Sequence, residues 1–192
     1  MNYNEMKFII ITGASGSGKD STVDELLAED KRFHKVNRIT TRPRRKNENG
    51  SNSYYFAKND DEFNEYEAIA VTTYNGWKYG TLINSFHPNK INLIICGYKE
   101  VPLTYNSLVA IGASRNNILI INLIAEDGIR MQRQIIRDSS NMTELCRRFL
   151  SDEDDKKYLL TTPYVQHFYN GEYMDQRLTV ISIIKLIDYI SF

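Results

Sequence analysis

Three short runs of apolar and β-branched residues stand out along the chain, and polar or glycine-containing segments separate them. The runs cover residues 7–12, 92–96 and 118–124. Such runs are typical of strands that are buried on both faces, as in a parallel sheet. Segments with helical character follow them and begin at Asp20, Glu100 and Glu126. This alternation predicts an α/β fold in which helices flank a parallel sheet.

A different pattern occupies residues 38–88, where Arg, Asn, Tyr and Gly are frequent and the candidate strands are short. We interpret this segment as a subdomain inserted into the core. Its predicted elements are strands at 54–57, 68–74 and 77–80, a short helix at 60–66 and a hairpin turn at Asn75-Gly76. Near the end of the chain, the pattern predicts a strand at 165–169 and a helix at 174–190.

Composition narrows the class of protein. Apolar residues make up 42% and charged residues 25% of the 192 residues, which predicts one ordinary globular domain. Lys plus Arg equals Asp plus Glu at 24 each, so there is no excess positive charge of the kind that binds a nucleic acid polymer. We expect a small anionic partner instead, and a protein that is a monomer or a homodimer.

Neither a disulfide framework nor a membrane segment is predicted. Cys96 and Cys146 have no Cys or His nearby at metal-ligand spacing. The apolar run at 8–11 is too short for a signal-peptide core or a membrane span. A cytoplasmic location is the expectation.

A glycine-rich segment lies directly between the first predicted strand and the first predicted helix and matches the pattern G-x-x-x-x-G-K. It consists of Gly13, Ala14, Ser15, Gly16, Ser17, Gly18, Lys19, Asp20 and Ser21. Its glycines allow successive backbone N–H groups to point at a polyphosphate, and the helix N-terminus adds its positive dipole end. Lys19 is expected to reach the β- and γ-phosphates. We therefore predict a phosphate loop (P-loop) that binds ATP.

The residue after the lysine departs from the usual motif. This position normally holds Ser or Thr, whose hydroxyl binds Mg²⁺, and here it holds Asp20. Because a carboxylate is also a good oxygen ligand for Mg²⁺, we predict that Asp20 is the metal ligand, directly or through water. The alternative is a helix N-terminal carboxylate that is favoured by the helix dipole.

Two further motifs follow, residues 38–45 with the letters RITTRPRR and then Tyr79-Gly80-Thr81. With the P-loop, they resemble the guanylate kinase family. In that family, a T-T-R-x-x-R segment, a later tyrosine and a Y-G-[ST] segment hold the phosphate of the acceptor nucleotide. The resemblance implies acceptor-binding roles for Arg42, Arg45, Tyr54, Tyr79 and Thr81. Arginine forks bind phosphate bidentately, and tyrosine hydroxyls add donors.

A second group of arginines, Arg133, Arg137 and Arg148, has the spacing of the arginines in the lid and adjoining helix of this family. The resemblance implies that they are catalytic together with Lys19, since phosphoryl transfer needs positioning and positive charge. The alternative is a basic helix face paired with acidic residues. We interpret the acidic stretch 152–155 as a solvated helix surface. Asn170 resembles the family's turn beside the ATP adenine, although Asn-Gly is also a favoured turn pair.

The residues that read guanine in the family are replaced here. Its serine, glutamate and aspartate fall at Arg38, Ala70 and Ile95 or Cys96, and a second aspartate that supports Mg²⁺ is also absent. The G-K-D loop and the uncharged strand end before Gly97 resemble the ribose 1,5-bisphosphate phosphokinases, and some deoxynucleoside monophosphate kinases carry G-K-D. We expect GMP or dGMP as the acceptor. The alternatives are another dNMP, ribose 1,5-bisphosphate, or a non-catalytic guanylate-kinase-like binding module.

The resemblance implies a single P-loop kinase domain over residues 1–192, with the three-layer parallel sheet of P-loop NTPases. The core comprises 1–37, 89–130 and 160–192, the acceptor-binding insertion 38–88 and the helical lid 131–159. The implied cofactors are ATP and Mg²⁺, and the implied partner is a GMP-like phosphate acceptor.

Overall fold

The computed structural model describes residues 2–44, 54–137, 142–162, 164–171, 175–190 and 192. The strands are β1 Lys7–Gly13, β2 Phe33–Lys35, β3 Arg38–Thr40, β4 Tyr54–Phe56, β5 Ala68–Tyr74, β6 Trp77–Leu82, β7 Ile91–Ile95, β8 Ile118–Ile124 and β9 Val165–Tyr169. The α-helices are α1 Lys19–Glu29, α2 Asp60–Asn64, α3 Val101–Ala110, α4 Asp127–Arg137, α5 Met142–Asp155, α6 Lys157–Leu160 and α7 Gln176–Tyr189.

The larger sheet has five strands in the order β2-β7-β1-β8-β9, and every pairing in it is parallel. Alternate residues of β1 point to opposite faces. Ile10 packs with Val101 on the face covered by α3, and Ile9 packs with Val23 and Ile183 on the face covered by α1 and α7. The chain therefore forms three layers around the central strand, and the predicted α/β fold is confirmed.

The insertion forms a second sheet in the order β4-β3-β6-β5. β3 is parallel to β4 and antiparallel to β6, and β5 is antiparallel to β6. Asn75 and Gly76 join β5 to β6 with φ angles of 51° and 80°, as a type I′ hairpin turn requires. A small core of Ile39, Ala57, Phe63 and Leu82 lies beneath this sheet.

The two three-residue strands β2 and β3 are among the described elements that the sequence analysis did not predict. A run of three residues is too short to show a period, so tertiary pairing alone defines these strands. β3 is placed by β4 on one side and β6 on the other. Within the part of the chain that the structure describes, no helix is long and apolar enough to cross a membrane.

We propose that the chain is divided into the core, insertion and lid that the sequence predicts. The five-stranded sheet contains only strands from the core ranges, whereas the four-stranded sheet contains only strands from 38–88. Most of α4, all of α5 and the start of α6 fall in the lid range.

Candidate active site

A cavity of about 620 Å³ opens where β1 ends, and core, insertion and lid all contribute to its lining. The predicted site residues that line it are Gly13, Ser15, Gly16, Gly18, Lys19, Asp20, Ser21, Arg42, Tyr54, Tyr79, Arg133, Arg137 and Arg148. Ligands in α/β proteins bind outside the carboxyl ends of the strands, and this cavity has that position. The structure thus brings three segments that are distant in sequence to one place.

The P-loop backbone requires glycine at two positions, one packed against α4 and the other against Asn170. Gly16 has a φ of 83° and Gly18 a φ of 91°, in the left-handed region. A Cβ on Gly16 would lie 2.6 Å from the carbonyl oxygen of Arg130, and a Cβ on Gly18 would collide with the amide of Asn170. The loop is therefore packed closely on its outer side, which leaves its inner side for a ligand.

Lys19 folds back over the loop. Its Nζ donates hydrogen bonds to the carbonyl oxygens of Gly13 at 2.8 Å and Ala14 at 3.1 Å. Burial lowers the pKa of Lys19, whereas the nearby carboxylates of Asp20 and Asp152 act in the opposite direction. The ammonium group is thus held by neutral backbone carbonyls and can turn toward an anion in the cavity.

Asp20 lies in the first turn of α1 with 66% of its side chain exposed, and it lines the cavity. Within the described ranges, no group of three or more His, Cys, Asp or Glu residues forms a metal cluster. Mg²⁺ commonly binds one or two carboxylates together with substrate phosphates. The donor set fits Mg²⁺ held by Asp20 and nucleotide phosphates, and this role stays a prediction.

The acceptor side of the cavity combines an arginine with two tyrosines. The Tyr54 and Tyr79 rings are 6.4 Å apart, and the Arg42 guanidinium carbon lies 6.0 Å from the centre of the Tyr54 ring. Burial raises the pKa of Tyr54, so its hydroxyl stays a neutral donor. Thr81 is fully buried in β6 and does not line the cavity. The fifth predicted residue, Arg45, lies outside the described residues.

The three predicted lid arginines are differently placed. Arg133 donates to the carbonyl oxygens of Asn170 at 2.9 Å and Gly16 at 3.3 Å, so it connects α4 to the P-loop. Arg137 is exposed at the cavity edge. Arg148 donates to the Glu144 carboxylate at 2.8 Å. All three face the same cavity, as a group that acts on one phosphate must.

The sequence analysis missed Arg147, which connects the lid to the insertion, and Glu144, which holds Arg147. Arg147 of α5 donates to the hydroxyl of Tyr74 in β5 at 2.5 Å. Glu144 pairs with both Arg147 and Arg148, and its hydrogen bond from Arg147 is the main reason that the pKa of Glu144 falls to about 2. Adjacency to Arg148 is the one sequence signal that could have identified Arg147.

The interpretation of residues 152–155 as a solvated surface is wrong for Asp152. Its carboxylate accepts a hydrogen bond of 2.7 Å from the backbone N–H of Ser15 and pairs with Arg130 at 3.2 Å. Arg130 is 2% exposed and donates to the carbonyl oxygen of Ser15 at 3.1 Å. The interpretation fails because α5 packs onto the P-loop; Asp154, on another side of the helix, is exposed.

Asn170 lies behind the P-loop. It is 1% exposed, and its Nδ2 donates to the carbonyl oxygen of Ser17 at 2.8 Å. Its own backbone N–H is bonded to the Ile124 carbonyl at 2.7 Å. Asn170 therefore supports the loop backbone, and it does not line the cavity. A contact with adenine stays a prediction. Ala14 and Ser17 are also loop residues that do not line the cavity.

Comparison with known proteins finds similarity to the guanylate kinase family. The guanylate kinase family model matches residues 5–96. A guanylate kinase from Prochlorococcus marinus (strain MIT 9312) is 40% identical over 57 residues, which cover 30% of this chain and only 31% of the length of that relative.

Similarity to solved structures extends over nearly the whole chain. A guanylate kinase from Anaplasma phagocytophilum has a TM-score of 0.63 at 17% identity, covering 97% of this chain and 86% of its own. An uncharacterized protein from Eubacterium ventriosum ATCC 27560 has a TM-score of 0.50 at 15% identity, covering 95% and 99%. These two similarities confirm the fold.

Proposed function

Because residues 5–96 match the guanylate kinase family and the chain has the guanylate kinase fold, we propose that this protein is an ATP-dependent nucleoside monophosphate kinase. We further propose GMP or dGMP as its acceptor. The motifs that carry this choice are residues 40–45, Tyr54 and the segment 79–81.

One observation carries the proposal: the P-loop and the acceptor-side residues face a single cavity. Lys19 lies on the wall formed by the core, and Arg42, Tyr54 and Tyr79 lie on the wall formed by the insertion. A phosphoryl group moves between two phosphates that are held roughly in line, so both holders must share one space. A cavity of about 620 Å³ is within the size range of ligand pockets in proteins.

Each part of the site has a distinct role in the proposed reaction. The P-loop amides and Lys19 bind the triphosphate, and Arg42 with the two tyrosine hydroxyls binds the acceptor phosphate. Arg133, Arg137 and Arg148 supply positive charge where negative charge develops on the transferred phosphoryl group. Mg²⁺ supplies further charge neutralisation when bound, and Asp20 is the residue that would hold it. The lid excludes water that would otherwise hydrolyse ATP.

The residues at the positions that read guanine in guanylate kinases favour a second class of acceptor. Ala70 and Cys96 are buried apolar residues, so neither can accept a hydrogen bond from guanine through a carboxylate. A site that lacks such groups discriminates weakly between bases. Another dNMP or ribose 1,5-bisphosphate is therefore our second candidate.

An acceptor panel in a coupled ADP-release assay tests these proposals. We expect turnover with GMP or dGMP, and loss of at least about a hundredfold in Lys19→Met, because a charged group that stabilises the transferred phosphate is removed. Lys31→Met, at an exposed site outside the cavity, is the matched control. Turnover restricted to ribose 1,5-bisphosphate or to another dNMP would support the second candidate. ATP binding without turnover on any acceptor would indicate a binding module, and no ATP binding would overturn the proposal.

A further inference from the structure

Arg38 is an arginine of the insertion that does not face the cavity. It is 4% exposed and lies in β3, opposite Tyr54 of β4 and Thr81 of β6. Its Nε has no hydrogen-bond partner among the described residues. Burying a charged group is costly unless the group is paired, so a buried Arg38 needs a partner of opposite charge.

That partner is Glu100, in the turn after β7. Arg38 Nη2 donates to Glu100 Oε1 at 2.5 Å, and Arg38 Nη1 lies 3.4 Å from Oε2. The backbone N–H of Gly97 donates to Oε2 at 2.9 Å, and Arg38 Nη1 also donates to the Ile95 carbonyl at 3.1 Å. Burial disfavours the charged form of Glu100, but the charge of Arg38 outweighs it and lowers the pKa. The carboxylate is thus ionised and held from both sides.

The two partners differ in what they present to a ligand. Glu100 lines the cavity, in the same space as Arg42 and Tyr54, whereas Arg38 does not. An ionised carboxylate has about four acceptor positions, and the contacts with Arg38 and Gly97 use three at most. Among the described residues, at least one position therefore remains for a ligand, and a hydrogen-bond donor or a cation can use it.

Arg38 also fixes the orientation of Tyr54. Arg38 Nη1 donates to the Tyr54 hydroxyl oxygen at 3.2 Å, so the phenolic hydrogen of Tyr54 is left to be donated elsewhere. The same nitrogen contacts Glu100. The Arg38 guanidinium therefore sets the distance between the Tyr54 hydroxyl, which can donate to a phosphate, and the Glu100 carboxylate, which can accept from an N–H or O–H group.

We infer that Glu100 is the specificity-determining residue of the acceptor site and that Arg38 is its positioning residue. This inference rests on the proposed kinase function. The acceptor's phosphate is directed away from the negative charge of Glu100 to Arg42 and Tyr54. Glu100 then accepts a hydrogen bond from an N–H or O–H group of the remaining part of the acceptor, either an amino group of the base or a hydroxyl of the sugar.

The test compares four acceptors in the wild-type protein and Glu100→Gln. GMP carries both kinds of donor, IMP lacks the 2-amino group, dGMP lacks the 2′-hydroxyl, and ribose 5-phosphate lacks the base. We expect Glu100→Gln to lower kcat/KM for GMP at least about tenfold through KM, with KM for ATP unchanged. If the base amino group is the donor, the wild-type protein should prefer GMP over IMP and Glu100→Gln should not. If the 2′-hydroxyl is the donor, the wild-type protein should prefer GMP over dGMP and Glu100→Gln should not.

Two further variants separate specificity from fold. Glu65→Gln, at an exposed site in the insertion, should leave the ratios of kcat/KM between the four acceptors unchanged. Arg38→Lys keeps the charge but loses the fork that holds Glu100 and Tyr54, so it should raise KM for the acceptors and also reduce the same preference among them that Glu100→Gln removes. A circular dichroism melt of each variant confirms that it is folded.

The inference is overturned if Glu100→Gln leaves all four KM values unchanged, or if it lowers kcat/KM for all four by the same factor. Either result can occur while the wild-type protein is an active kinase, so it leaves the proposed function intact. Should the wild-type protein bind these compounds in calorimetry without turnover, the proposed function fails. The same ratios, measured as Kd values, then test Glu100. If none of the four compounds binds, both the proposed function and the inference about Glu100 fail.

Discussion

The carboxylate of Asp152, in the lid helix α5, accepts a hydrogen bond of 2.7 Å from the backbone N–H of Ser15 in the P-loop. Backbone amides of such a loop are the groups that bind phosphate oxygens. Asp152 therefore presents a carboxylate to an amide that a triphosphate would use. If the protein binds ATP as proposed, the contact makes the position of α5 and nucleotide binding dependent on each other.

Asp152→Asn should strengthen ATP binding. The substitution removes a negative charge that opposes the triphosphate, and it weakens a contact that ATP must displace. We expect a Kd about tenfold lower, equivalent to roughly 1.4 kcal/mol, in isothermal titration calorimetry. Asp154→Asn is the control, because Asp154 is exposed on the same helix and does not line the cavity. Weaker ATP binding in Asp152→Asn would show that the contact supports the loop instead of competing with the ligand.

Asp20→Ala should impair Mg²⁺-dependent activity much more than Ser21→Ala. Asp20 lines the cavity with an exposed carboxylate at the position after the P-loop lysine. Mg²⁺ prefers such an oxygen ligand. We expect the Mg²⁺ concentration for half-maximal rate to rise at least about tenfold in Asp20→Ala, which a Mg²⁺ titration at saturating ATP measures. Equal losses in the two variants would contradict the metal role.

Gly16→Ala should destabilise the protein and weaken ATP binding. Its left-handed φ of 83° and the nearby Arg130 carbonyl leave no room for a Cβ. We expect a loss of about 1 to 3 kcal/mol in the free energy of unfolding, measured by urea denaturation.

The matched control for that substitution is Gly128→Ala. A Cβ on Gly128, in the first turn of α4, would contact nothing within 4 Å. Because alanine favours helix, this variant should be neutral or more stable by up to about 1 kcal/mol. A similar loss in both variants would show that the close approach at Gly16 is not the cause.

Glu144→Gln should flatten the dependence of stability on pH in the acid range. The pKa of Glu144 is about 2 in the folded protein, against about 4.3 for an unfolded chain. Its contribution is therefore complete above about pH 5 and is lost as the pH falls through about 2. Since 30% of the side chain is exposed, we expect about 1 kcal/mol after solvent screening.

Urea denaturation at pH 7 and pH 3 measures this difference. The wild-type protein should lose more stability between the two pH values than Glu144→Gln loses. Glu65→Gln, which removes an exposed carboxylate from the insertion, should behave like the wild type. Parallel pH profiles for the wild type and Glu144→Gln would contradict the assignment.

The sequence by itself determined the features that depend on neighbouring residues. The strands at 118–124, 68–74 and 165–169 have the predicted bounds. In the first two, apolar or β-branched residues run along almost the whole strand. The position of the glycine-rich segment between a strand and a helix could be predicted from neighbouring residues as well. Its glycines, its lysine and the flanking strand and helix form one contiguous segment, 7–29.

Tertiary structure decided the contacts between residues that are distant in the chain. Arg38 pairs with Glu100 across 62 positions, Tyr74 bonds Arg147 across 73, and Ser15 bonds Asp152 across 137. No local pattern encodes these pairs, since each depends on how two packed elements face one another. An acidic residue on a helix has the same sequence signature whether it meets solvent or a backbone amide, and only the packing of α5 on the P-loop distinguishes Asp152 from Asp154.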